Sequence, residues 1–256
     1  MIHWIASPDH PRLEPFRHVG DHDWLRKQDL FVAEGRLVVG RLIDLDRFEI
    51  TAILVNRAAH DALLERLAAV ETSVYVCEEP TLTGITGFKF HRGCLALARR
   101  PAPLSIDWLN DASTLLALEG VGNPDNIGGL FRTAAAFGMD GVLLNGTSGD
   151  PFYRKAVRTS MGAVLTLPFV RLQDWPAALE PFRARGFRLV ALTPDAAAVS
   201  IAEFSAGLPA GTPVPDACQP GDWVRVSATT VFQPALPLLA MLGPFTLTST
   251  SSAEIQ

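Results

Sequence analysis

Cysteine is scarce in this chain: Cys77, Cys94 and Cys218 are its only three, scattered and odd in number. They share no metal-ligand spacing, which argues against a disulfide framework or a thiolate metal centre and points to a reducing compartment. Cys77 reads as a small buried hydrophobe. Long apolar runs are missing as well, since none approaches the ~18 residues that a membrane span needs. The opening M-I-H-W-I-A-S-P has no basic start and no apolar core, so no signal peptide is expected and the cytoplasm is the simplest location. Positive charge is in short supply: 22 Lys and Arg face 27 Asp and Glu, for a net charge of −5. That balance disfavours a bulk electrostatic RNA binder. It leaves room for a local basic face, which is enough to contact phosphates. The shortage is sharpest after Leu189, where Arg225 is the only basic residue and eight of the chain's 19 prolines fall.

What is present is a chain of 256 residues, 48% hydrophobic, long enough for two modest domains. The stretch from Leu115 to Phe169 organises it. An apolar strand (Leu115 to Leu118) enters a loop, Glu119 to Asn126, rich in Gly, Asn, Pro and Asp. An apolar-periodic helix follows, then a strand at Gly141 to Leu144, a basic helix and a strand at Leu165 to Phe169. Strands alternating with helices predict a parallel sheet with crossover helices. Ligands of such sheets bind outside the carboxyl ends of the strands, where the Glu119 to Asn126 loop sits.

In the first of these helices Ile127, Leu130, Phe131, Ala134, Ala135 and Gly138 form one stripe at helical spacing. Arg132 lies about 130° from the stripe centre, and Asn126 lies on the other flank, where an Asn would cap the free backbone N–H groups. Arg132 is equally consistent with a solvated surface arginine, and glycines such as Gly128 and Gly129 mark many turns. The next helix puts Arg154, Lys155 and Arg158 within five residues, with Arg154 and Arg158 on one face and Tyr153, Ala156 and Val157 toward the core. Such a face suits an RNA backbone or plain solvation.

The string N-P-D-N-I-G-G-L-F-R-T-A-A-A-F-G resembles the first motif of the SpoU/TrmH branch of the SPOUT RNA methyltransferases. R-T-S-M-G-A (Arg158 to Ala163), followed by L-T-L-P-F, resembles their second. The resemblance implies a knotted, parallel-sheet α/β domain, S-adenosylmethionine as methyl donor, no metal, and a ribose 2′-hydroxyl of tRNA or rRNA as acceptor. It makes Arg132 the catalytic residue, with Asn126 holding the site, and implies a homodimer.

Residues 1 to 100 read as a separate small α/β domain, and 101 to 110, with Pro101 and Pro103, as a linker into a second domain spanning 111 to 256. A helix opens at Gly35, strands run over Ile50 to Val55 and Ser73 to Cys77, and a helix runs over Ala58 to Val70. Thr81 to Arg100 gives a short helix, a Gly-rich turn and a strand. F-V-A-E-G and H-R-G-C-L-A-L-A resemble the amino-terminal RNA-binding domain that precedes many SpoU-type catalytic domains. Lys89, His91 and Arg92 are its candidate RNA contacts, and Phe88 and Phe90 could stack on bases or be buried. His18 and His22 are four apart and could share a metal on one helix, although no third ligand is in view.

Beyond Asp195 the family likeness fades. A helix over Trp175 to Arg185 and a strand over Arg188 to Leu192 are expected, and then Pro209 to Asp222 favours neither helix nor strand. The family's third motif supplies a Gly-Glu-Gly loop, an Ile-Pro-Met strand end and a Ser-Leu-Asn helix start. Gly-Glu-Gly is not found, and Thr246, Leu247 and Thr248 fall over Ser-Leu-Asn, which makes Leu247 the candidate donor contact. The part from about residue 196 is therefore expected to be aberrant, as two compensating frame changes or a sequencing error would make it. On that expectation it has little strand pattern, the knot is incomplete, the dimer helix is lost and donor binding is poor. Two readings stand: an RNA 2′-O-ribose methyltransferase, or a non-catalytic RNA-binding protein that keeps the fold and has lost the donor site. A dinucleotide enzyme is disfavoured, because G-V-G-N-P-D-N-I-G-G does not give G-x-G-x-x-G.

Overall fold

The computed structural model of the chain describes residues 1–87, 93–191, 223–232 and 245–254, the last two stretches by their backbone alone. Met1–Leu172 forms one compact unit and Gln173–Gln256 a second.

The first unit opens with β1 (Ile2–Trp4), a 3-10 segment (Pro11–His18) and α1 (His22–Lys27), which Asp21 caps by accepting from Trp24 N at 2.9 Å. Then come β2 (Leu30–Glu34), α2 (Arg36–Asp44), β3 (Ile50–Val55), α3 (Arg57–Ala62), α4 (Leu64–Ala69), β4 (Ser73–Val76), α5 (Glu79–Thr86) and β5 (Cys94–Arg99). Gly35 starts α2 from a φ of 92°, a conformation that favours glycine. The helix expected over Ala58 to Val70 is broken at Leu63 into α3 and α4. The strands form one five-stranded sheet in the order β1-β4-β3-β5-β2, parallel across β1-β4-β3 and antiparallel where β5 joins β3 and β2.

Both faces of that sheet are covered, so β2 is buried along its whole length. Strand alternation divides the core. Val32, Leu54, Leu95 and Leu97 pack with Leu13, Phe16 and Leu82. Phe31, Ala33, Ile53, Val55 and Ala96 pack with Val38, Val39 and Leu42, and also with Ile127, Phe131, Ala156 and Val157 of the later helices. Burial pushes the thiols of Cys77 and Cys94 up, to about 11 and about 12.

The chain continues through β6 (Leu115–Leu118), α6 (Pro124–Ala136), β7 (Gly141–Leu144), α7 (Arg154–Thr159) and β8 (Phe169–Arg171). These three strands make a parallel sheet in the order β6-β7-β8, the crossover architecture that the strand-helix alternation predicts. The third strand begins later than expected. Ala163–Leu165 is a buried 3-10 turn after the left-handed Gly162, because a short apolar run fits a packed turn as well as a strand.

In the second unit Ala177–Leu179 is a 3-10 turn leading into α8 (Glu180–Ala184). Residues 188–191 form no strand, contrary to expectation, and residue 192 lies outside the described residues, as does the Pro209 to Asp222 stretch. The tail corrects a second expectation. β9 (Trp223–Phe232) and β10 (Phe245–Glu254) pair antiparallel over ten residues each, with Leu247 opposite Thr230. Runs of Thr, Val and Ser suit a strand despite their lack of a clear apolar period.

Candidate active site

The carboxyl ends of β6, β7 and β8 are tied together by side chains that the sequence reading does not single out. Asn145, buried just past β7, accepts at Oδ1 from Gly120 N (3.1 Å) and Ser148 N (2.9 Å), and its Nδ2 donates to Thr147 Oγ1 (2.9 Å). The Ser148 hydroxyl lies 3.0 Å from Leu118 O at the end of β6. Arg171, ending β8, donates to Asn145 O (2.8 Å), Ser148 O (2.7 Å) and Gly149 O (2.8 Å), and burial pulls its pKa down. The polar string N-G-T-S-G directly after an apolar strand is the signal for this network. It fixes the two loops that frame the strand ends, and Gly149 lets them meet: a Cβ there would stand 3.0 Å from Gly122 O.

α6 rises from this shelf. Its N-cap is Asn123, not Asn126: Asn123 Oδ1 accepts from Asp125 N at 2.8 Å, and Pro124 occupies the first turn. Capping therefore does not use Asn126, and its half-buried side chain has no hydrogen-bond partner among the described residues. The buried stripe is Ile127, Gly128, Phe131 and Ala134, while Ala135 and Gly138 are exposed. The two adjacent glycines do different things. A Cβ on Gly128 would stand 2.6 Å from Ala156 O and 2.9 Å from Ser160 N, so α6 and the end of α7 approach at closer range than any larger residue permits. A Cβ on Gly129 would meet nothing within 4 Å.

Arg132 is exposed two turns along α6, and its Nη1 lies 3.9 Å from the Met161 thioether. No carboxylate pairs with it among the described residues. The three cations of α7 differ in this respect. Arg154 Nη1 lies 2.6 Å and Arg158 Nη1 3.2 Å from the carboxylate of Glu34, whose side chain is only 1% exposed at the end of β2. Lys155 Nζ lies 2.6 Å from Asp125 Oδ2, and Thr159 Oγ1 donates to Asp125 Oδ1 at 3.1 Å. The Lys155 hydrogen bond holds the Asp125 carboxyl below the ordinary carboxylate range. The basic helix face is thus also an internal ion cluster that fastens α7 to the first sheet on one side and to α6 on the other. The charge in an otherwise apolar strand, L-F-V-A-E, is the sequence signal for Glu34, because a buried carboxylate needs partners.

The remaining candidates are dispersed. Lys89, His91 and Arg92, with Phe88 and Phe90, lie outside the described residues. Leu247 lies on β10, described by its backbone. His18 and His22 sit on different helical segments: His18 stacks on Trp24 at 4.4 Å, and His22 faces Asp150 at 3.6 Å.

The profile of the SpoU rRNA Methylase family matches residues 113–212, past residue 195, where the likeness reads as fading. An uncharacterized tRNA/rRNA methyltransferase of Mycobacterium bovis is 37% identical over 211 residues, covering 80% of this chain and 72% of that protein. Among solved structures, an RNA 2′-O ribose methyltransferase superposes with a TM-score of 0.62 at 25% identity, over 77% of this chain and 76% of that one. The AdoMet-bound rRNA methyltransferase of Sinorhizobium meliloti superposes with a TM-score of 0.58 at 24% identity, over 74% and 71%, and shares the fold. Fold and strand-end site thus define the class, an α/β protein of the RNA methyltransferase kind. Within that class the chain belongs to the SpoU rRNA methylase family.

Proposed function

We propose that this chain transfers a methyl group from S-adenosylmethionine to a ribose 2′-hydroxyl of tRNA or rRNA, with Arg132 as the catalytic residue and Asn126 shaping the site. One observation carries the assignment. Arg154, Arg158 and Arg171 are spent on carboxylates or carbonyls, whereas Arg132, on the helix that leaves the strand-end loop, makes only a thioether contact among the described residues. A guanidinium carries N–H donors and no acceptor, so Arg132 does not serve as a general base. It positions the attacking hydroxyl and stabilises the oxyanion that develops on it. Bound donor supplies a methyl group already activated on a sulfonium, so the chain's task is orientation. The described loops suit a ligand in one respect: a Cβ on Gly120 or Gly122 would have no neighbour within 4 Å, which leaves room beside their backbone.

The finer assignments belong to the same proposal. Residues 1–100 contact RNA through Lys89, His91 and Arg92, and α7 adds the exposed edges of Lys155 and Arg158 beside Arg154. Leu247 is the candidate donor contact. The working form is a cytoplasmic homodimer. The test is mass spectrometry of RNA nucleosides from a strain lacking this protein. One 2′-O-methylated nucleoside should disappear, and should return with the wild-type gene but not with Arg132→Ala. An unchanged methylation pattern would refute the proposal.

A further inference from the structure

α7 ends in two successive left-handed residues, Met161 (φ 53°) and Gly162 (φ 83°). Glycine is at home there, but an L side chain rarely adopts that conformation. A methionine held in it calls for a reason on the side-chain side. Packing does not provide one, since Met161 is 44% exposed. Its Sδ instead lies 3.9 Å from Arg132 Nη1, the only partner of that guanidinium among the described residues. The backbone of the same residue is held from the other side. Arg41, on α2, donates from Nη1 to Met161 O at 3.1 Å, and its stem runs past Gly162, where a Cβ would stand 3.2 Å from Arg41 Cδ. Arg47 donates similarly to Leu165 O.

We propose that Met161 is a positioning residue for Arg132 and that Arg41 latches it, so that the first sheet's helix α2 sets the orientation of the guanidinium. The left-handed turn aims the thioether at α6, and the Arg41 hydrogen bond satisfies the carbonyl that this turn turns outward. The thioether is a weak, uncharged acceptor. It holds the guanidinium without neutralising it, which a carboxylate at the same place would not do. The inference rests on the proposed role of Arg132 for its catalytic consequence but not for its structural one.

Met161→Gly separates this proposal from a purely structural role, because it relieves the backbone and should leave stability equal or higher. In the full chain, the order of the Arg132 side chain is read by ¹⁵N relaxation of its Nε–H, assigned by the signal lost in Arg132→Lys. Met161→Gly and Arg41→Ala should both lower that order, and Arg41→Lys should restore part of it. With tRNA or rRNA and S-adenosylmethionine, both variants should lose at least fivefold in kcat while KM for either substrate stays within twofold. Unchanged Arg132 order in both variants overturns the proposal. Lowered order with no methyl transfer by the wild-type chain upholds the positioning contact and refutes the proposed function instead.

Discussion

Removing Glu34 should release α7 from the first sheet. The carboxylate is 1% exposed and receives Arg154 at 2.6 Å and Arg158 at 3.2 Å. Deleting one member of a buried ion cluster typically costs about 3–5 kcal/mol, because the charges left behind lose their partner. Here the two arginines are 25% and 40% exposed, so water recovers part of that loss. Glu34→Ala should therefore cost about 2–3 kcal/mol. For a chain of this size that lowers Tm by about 4–12 °C. Urea unfolding followed by tryptophan fluorescence and by circular dichroism measures the change. The ion-cluster origin is checked with a double-mutant cycle: Arg154→Ala should cost less in the Glu34→Ala background than in the wild type. A Glu34→Ala stability within about 0.5 kcal/mol of wild type, the usual range of surface changes, would refute the reasoning. Strict additivity of the two substitutions would refute it as well.

Gly128→Ala should cost about 1–3 kcal/mol through overpacking against Ala156 and Ser160. Gly129→Ala, one residue on, should gain about 0.5–1 kcal/mol from reduced backbone entropy, so equal responses in thermal melts would contradict the packing described. Asp140 accepts from Ser113 N (2.8 Å), Thr114 N (2.9 Å) and Ser113 Oγ, which holds its carboxyl below the ordinary range. A depressed folded value means that its contribution is present above the unfolded value of about 3.9 and is lost as pH falls through the folded value. Asp140→Asn should thus flatten the acid limb of stability against pH, and an unchanged limb would count against these bonds.

Much of the fold was legible, and the failures are specific. The βαβαβ unit could be read because strand and helix periods alternate cleanly from Leu115 onward. Residues such as Ile50 to Val55 are apolar enough to be assigned without context. The strand expected over Leu165 to Phe169 starts only at Phe169, because the apolar character of Leu165 reflects burial in a 3-10 turn rather than strand pairing. The β9-β10 ribbon is hard to see in the sequence because its strands carry hydroxyl and β-branched residues without a clear apolar period. At the site, Arg132 stood out by lying off the apolar stripe. Asn126 stands where the pattern expects a cap, but Asn123 takes that place because Pro124 starts the helix. Glu34 and Asn145 carry local signals, but their partners, like those of Arg41 and Met161, become visible only when distant segments meet: 120 residues separate Arg41 from Met161 and Glu34 from Arg154.

The most direct measurement is methyl transfer by purified protein from labelled S-adenosylmethionine to tRNA and rRNA, wild type against Arg132→Ala. Wild type should transfer label to a ribose 2′-oxygen. Arg132→Ala should retain stability within about 1 kcal/mol, as expected for an exposed residue, and lose at least tenfold in rate. Equal rates in the two proteins, or an Arg132→Ala chain that unfolds, would contradict the assignment of Arg132 to the chemistry.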